Sequence, residues 1–172
     1  MPKKSVRENK TIYQLAREQA GLTRAMASEK TGFLSESVIE KIEYGEKSPD
    51  ADEVLALARA YRRMDLTNQY CATVCPIGMR YKPAVNMSSL SDIVLNMLDS
   101  LNHLEKEKNR LIEITADGKI SPEEMEDFAR IQKLIGRISN VADSMRLWVE
   151  QSDAEGTVNR EALEKLMENG KR

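Results

Sequence analysis

The stretch GLTRAMASEKTGFLSESVIEKIEYGEKSP, Gly21 to Pro49, reads as two short helices joined by a tight turn. Thr23 is placed to cap the first, which carries Met26, Ala27 and Lys30 and ends near Gly32. Ser35 caps the second, where Val38, Ile39 and Ile42 recur at helical spacing as a buried stripe. Gly45 suits the left-handed position that stops a helix, since a residue with no side chain adopts positive φ freely.

The flanks extend the pattern. Upstream, Thr11 and Gln14 form a capping-box pair, with Ile12, Leu15 and Ala16 expected inward and Ala20-Gly21 closing the helix. Downstream, Asp50 and Glu53 make a second box. The helix they open is expected to bury Val54, Leu55, Leu57, Ala58 and Tyr61, and a short fifth turn closes around Leu66. Residues 1–68 are thus expected to form a five-helix domain around a helix-turn-helix, a layout whose second helix is shaped to enter the major groove of DNA.

Charge is uneven along this part. Residues 1–34 hold seven Lys/Arg against three Glu, residues 35–53 two Lys against seven Asp/Glu, and residues 54–68 three Arg against one Asp. The whole chain of 172 residues has a net charge of −2, so it is not a uniformly basic nucleic-acid binder. Aromatic residues are 5% of the chain, which leaves little room for recognition by base stacking. The opening MPKKSVRENK has no apolar core behind its charges, and no run approaches the ~18 apolar residues of a membrane span. With two cysteines and no disulfide framework, a cytoplasmic location is expected.

Residues 69–87, QYCATVCPIGMRYKPAVNM, show no helical stripe of useful length and are read as a linker holding both cysteines. From Ser88 a different period begins. Leu90, Val94, Met97, Leu101, Leu104, Leu111 and Thr115 follow a 4-3 spacing with Lys108 in the remaining slot, which is a heptad seam. Asp117-Gly118-Lys119 breaks it, and Ser121-Pro122-Glu123-Glu124 restarts a helix. Phe128, Ile131, Ile135, Ile138, Ala142, Met145 and Val149 continue the pattern, widened by Leu134, Val141 and Trp148. Residues 88–151 are therefore expected to form a long antiparallel helical hairpin with apolar surface to spare, buried most simply in a homodimer. Residues 152–172 form a tail that a final helix could occupy. The fold class is all-α.

The N-terminal residues resemble the lambda-repressor/Cro-like, xenobiotic-response-element type helix-turn-helix regulators. Gly21-Leu22-Thr23, Glu29-Lys30 with Gly32, Ile39-Glu40-Lys41-Ile42-Glu43, Gly45-Glu46-Lys47-Ser48-Pro49 and Val54-Leu55-Ala56-Leu57-Ala58 carry the resemblance. It implies double-stranded DNA as partner, with Glu36, Ser37, Glu40 and Lys41 facing the groove. It also implies that Glu43 packs against the domain's own helices. The chain departs from the family by one extra residue around Gly32-Phe33-Leu34 and by the acidity of its groove-facing helix.

A glutamate in the groove can accept from cytosine N4, so Glu40 and Ser37 are candidates at base edges. Arg24, Lys41 and Lys47 are the leading candidate contacts to DNA, with Lys10 and Arg17 as further phosphate candidates. The function expected is a DNA-binding transcriptional regulator, a repressor acting as a dimer on a two-fold operator. One alternative is a protein-interaction adaptor on the same scaffold. Another is a metal or redox sensor through Cys71 and Cys75, which would supply half of a zinc site. A pair of thiols packing the linker is the simpler reading of those cysteines. Glu113–Glu124, EITADGKISPEE, imitates a calcium loop but has Glu113 where aspartate belongs, and it reads as a hairpin turn. One histidine, His103, and no nucleophile–base grouping give no support for an enzyme, and no cofactor is expected.

Overall fold

The structure is a computed structural model and describes residues 9–82, 84–85 and 88–169, the side chain of Asn169 excepted. Among these residues every regular element is helical: α1 (Ile12–Gln19), α2 (Arg24–Thr31), α3 (Glu36–Tyr44), α4 (Ala51–Tyr61), α5 (Asp65–Thr73), α6 (Pro76–Tyr81), α7 (Leu90–Thr115), α8 (Met125–Glu155) and α9 (Arg160–Asn169). Packing divides them into two units. The described residues up to Ala84 join those from Val149 onward in one, and Val85–Trp148 form the other.

In the first unit, short helices are held at their ends by side-chain caps. Thr23 and Ser35 accept hydrogen bonds from the amides of Met26 at 3.1 Å and Val38 at 3.3 Å. Asp50 and Glu53 complete a reciprocal box, at 2.9 and 3.0 Å. Each such cap contributes roughly 1 kcal/mol, a large share of what an eight- or nine-residue helix needs. The box expected at Thr11 is only half made. The Gln14 amide reaches Thr11 at 3.4 Å, but the Gln14 side chain donates to Glu18 at 3.0 Å instead of turning back.

The core gathers Ala16, Leu22, Ala27, Leu34, Ile39, Ile42, Val54, Leu57, Ala58, Tyr61 and Leu66. Leu15 and Leu55, expected inside, are 42% and 39% exposed. The interior rows are Tyr13-Ala16-Arg17 and Val54-Leu57-Ala58-Tyr61, and each outlier lies one position, about 100°, round its helix from such a row.

The stretch read as a linker without a helical stripe contains the end of α5 and all of α6. Cys75 caps α6, accepting from the Gly78 amide at 3.4 Å, and Pro76 occupies the first turn. Proline costs nothing there because its missing N–H would have had no partner. α6 lies so close to α5 that a Cβ on Gly78 would fall 2.1 Å from the Cys71 carbonyl oxygen. At the other end of this unit, the Gln151 side chain accepts from the Met64 amide and donates to the Arg62 carbonyl, both at 2.9 Å. It thereby fixes the α4–α5 turn, where Arg62 adopts a left-handed φ of 54°.

In the second unit, α7 and the part of α8 up to Trp148 carry the two arms of a helical hairpin. Arg110 bonds Asp127 at 2.6 Å, and Arg130 bonds Glu107 at 2.9 and 3.1 Å, tying the arms near the turn. Asp117 accepts from the Lys119 amide at 2.9 Å, shaping the bend itself. The buried residues of α7 are Ile93, Ser100 and Ile114, with Met97, Leu104 and Leu111 half-buried between them. This row also has 4-3 spacing and shares Met97, Leu104 and Leu111 with the expected seam, but is otherwise turned from it. Leu90, Val94 and Leu101 of that seam are 40–44% exposed.

Candidate nucleic-acid interface

α3 is locked in place by its inner row. Ile39 and Ile42 are buried, each stabilising the domain by roughly 1.5–3 kcal/mol, and Glu43 is fully buried beside them. A buried carboxylate is tolerated only when paired. Glu43 is paired twice: Arg17 grips it with two bonds, one of them 3.0 Å, and Arg24 donates to it at 2.9 Å. Arg17 also donates to the Leu22 carbonyl at 2.7 Å, which fixes the approach to α2. The bond to Glu43 raises the pKa of Arg17. The one acid thus joins α1, α2 and α3, the internal role implied for it by the resemblance.

The outer row of α3 is Glu36, Ser37, Glu40, Lys41 and Tyr44. Glu36, Ser37, Lys41 and Tyr44 are exposed and Glu40 is half-buried. Arg24 donates to Glu40 as well as Glu43, and its guanidinium lies 4.9 Å from the centre of the Tyr44 ring. Burial works against the charge of Arg24, but bonds to Tyr44 and Glu43 outweigh it and raise its pKa. The acidity of the helix is therefore largely answered inside the domain. Glu40 and Glu43 face Arg17 and Arg24, which leaves Glu36 at the helix start, where the macrodipole favours an acid.

The cations sort into two groups. Arg17, named among the phosphate candidates, is buried against Glu43 and cannot serve that task. Lys10 is paired with Glu18 at 2.7 Å, Lys47 with the capping Glu53, and Arg24 with Glu40 and Glu43. Lys30 and Lys41 are exposed and enter no ion pair among the described residues. Sequence reasoning passes over Tyr44 at this face. Tyr44 is legible from period alone, since it lies seven positions beyond Ser37 and four beyond Glu40.

Residues 14–67 match the family model described as helix-turn-helix. This segment is a helix-turn-helix domain. The match covers roughly a third of the chain and takes in α1 to α4 and the start of α5. The family is one of DNA-binding transcription regulators. No curated protein and no solved structure matches the chain. No described helix is long and apolar enough to cross a membrane.

The turn between α2 and α3 is built on a glycine and a buried leucine. Gly32 itself ends α2 in the left-handed conformation, at a φ of 78°, and Leu34 is buried before the Ser35 cap. Cys71 and Cys75 lie beyond the matched segment as free, half-buried thiols. Among the described residues no group of three or more His, Cys, Asp or Glu side chains is placed to hold a metal ion.

Proposed function

We propose that the chain is a transcriptional regulator whose α3 enters the major groove of duplex DNA, and that it acts as a homodimer on a two-fold operator, repressing. The observation that carries this reading is the two-sided character of α3. Its inner row is fixed by Ile39, Ile42 and the Arg17–Glu43–Arg24 network, and its outer row of polar residues is held outward. In this reading Ser37 and Glu40 face base edges, with Glu40 accepting from an exocyclic amine of cytosine or adenine while Arg24 offsets its charge. Lys41 approaches the phosphates or a guanine, and Glu36 lies at the rim. Arg24 and Lys47 reach the DNA backbone by sharing their donors between a carboxylate and a phosphate, which a guanidinium with five N–H groups does readily.

Few cations are free at this face, so one domain alone binds weakly. The apolar surplus of the hairpin supplies the second domain: Val94, Leu98 and Leu101 remain exposed after α7 has packed on α8. Burying that row between two chains brings two α3 helices onto one operator, spaced about 34 Å, one turn of DNA. Selection of binding sequences from a random duplex pool tests this. The expected product is an inverted repeat with half-sites about one helical turn apart, bound by two chains. Recovery of single half-sites, or of no enriched sequence, argues against it.

A second reading has its own observation. Because Arg24 and Lys47 are already engaged with carboxylates, the scaffold could serve a protein partner instead. Absence of any DNA binding at low salt favours that adaptor.

A further inference from the structure

α4, α5 and the C-terminal helices build a cleft that the DNA reading does not use. It has a volume of about 540 Å3, within the range of roughly 300–1,000 Å3 found for small-molecule sites. Leu55 and Met64 give it apolar wall, and Arg59, Arg62 and Arg160 bring three guanidinium groups to it. Arg160 is already engaged by Glu164 at 2.7 Å and Glu150 at 3.5 Å. Arg59 and Arg62 are exposed and enter no ion pair among the described residues. Leu55 and Arg59 also line a second hollow, of about 520 Å3, which includes Phe33, exposed to 62%.

Three oddities meet here. Leu55 leaves the core to line the cleft. Arg62 takes a left-handed conformation that an L-residue avoids, where glycine would be free of strain. The nearly buried Gln151 holds that conformation by gripping the Arg62 carbonyl and the Met64 amide from α8. Strained residues persist where the surroundings over-determine them, and such positions cluster at binding sites.

We propose that this cleft binds a small organic monoanion, a carboxylate with an apolar tail. The carboxylate pairs with Arg59 and Arg62, and the tail lies on Leu55 and Met64, with room to extend toward Phe33. A single charge fits better than a phosphate, because Glu150 and Asp153 also line the cleft and repel a dianion. The cleft shares no residue with the candidate DNA face, so the site stands or falls independently of DNA binding.

Amide chemical shifts of the full chain, titrated with octanoate and separately with 1-octanol, test the proposal. Octanoate is expected to shift Met64 and Thr67 saturably at concentrations up to about 10 mM. Octanol should bind there at least tenfold more weakly, and Arg59→Gln with Arg62→Gln should weaken octanoate by about tenfold while the remaining spectrum stays folded. Shifts confined to α7, equal response to octanol, or an unchanged affinity in the double variant each overturn it.

Discussion

Glu43 shows how much one residue decides. It lies at the meeting of α1, α2 and α3, with Arg17 and Arg24 both donating to it. Removing it leaves the buried Arg17 without its carboxylate and Arg24 with Glu40 alone. Glu43→Ala is therefore expected to destabilise the domain by about 3–5 kcal/mol, measured by chemical denaturation. That is most of the stability a small domain has, so partial unfolding at ordinary temperature is the expected outcome. Glu40→Gln makes a contrasting case. Glu40 is half-buried and shares Arg24 with Glu43, so the fold should persist while the base preference opposite Glu40 relaxes by about 1–3 kcal/mol in a binding assay over base-substituted sites. An unchanged preference would place Glu40 away from the bases. The pairing of Glu43 was not derivable from local pattern, because Arg17 is 26 positions away. The resemblance alone pointed to an internal role.

At the scale of elements, what the sequence shows well is what is local. The caps at Thr23, Ser35 and Asp50 and the left-handed stop at Gly45 need only neighbouring residues, and each forms. Local pattern misses α6, although Cys75-Pro76 is itself a helix start. A thiol is a weak cap, and six residues are too few to display a stripe. The close approach of α6 to α5 leaves no room for a methyl group, since the clash is with backbone. Gly78→Ala is expected to cost about 1–3 kcal/mol and to loosen α6, seen as faster amide exchange at Met79 and Lys82. In the hairpin, two overlapping 4-3 rows are both largely apolar, so spacing could not say which one meets α8. The structure chooses the row through Ile93, Ser100 and Ile114.

The hairpin turn also carries a pH response. The bond from Arg130 lowers the pKa of Glu107 from its ordinary 4.5, and the bond from Arg110, then that from Arg130, lowers Asp127 from 3.8. A carboxylate lowered in the folded state stabilises in full above its ordinary pKa and loses that contribution as pH falls through the folded value. Thermal melts should therefore fall as pH drops through these ordinary values toward 3, and Arg130→Gln should flatten the fall. Both ion pairs lie at the surface with their arginines exposed, so the effect is modest and should shrink further in high salt.

For the whole molecule, the helix-turn-helix class was legible because its signature is a run of caps, stops and apolar positions within 29 residues. Less legible was the division of the chain. Residues from Val149 onward pack with the N-terminal helices, an association made through Gln151 across 87 and 89 positions. No local period announces such a pairing. Two chains joined through α7 would double the cations presented to DNA, so the dimer proposed here is part of the affinity and not only of the symmetry. Truncated at Ala84, the protein would lose both the hairpin and the Gln151 grip on the α4–α5 turn.

Gene control by this chain requires that the outer face of α3 meet duplex DNA. Fluorescence anisotropy of a labelled duplex tests that directly, with the full-length protein and Lys41→Ala compared across a series from about 50 to 200 mM salt. Binding is expected to weaken steeply with salt. The Lys41→Ala variant is expected to bind less tightly, with a log–log slope shallower by about 0.9 for each phosphate that its chain no longer neutralises. Binding absent at the lowest salt, or a Lys41→Ala curve superimposed on the parent, would contradict it.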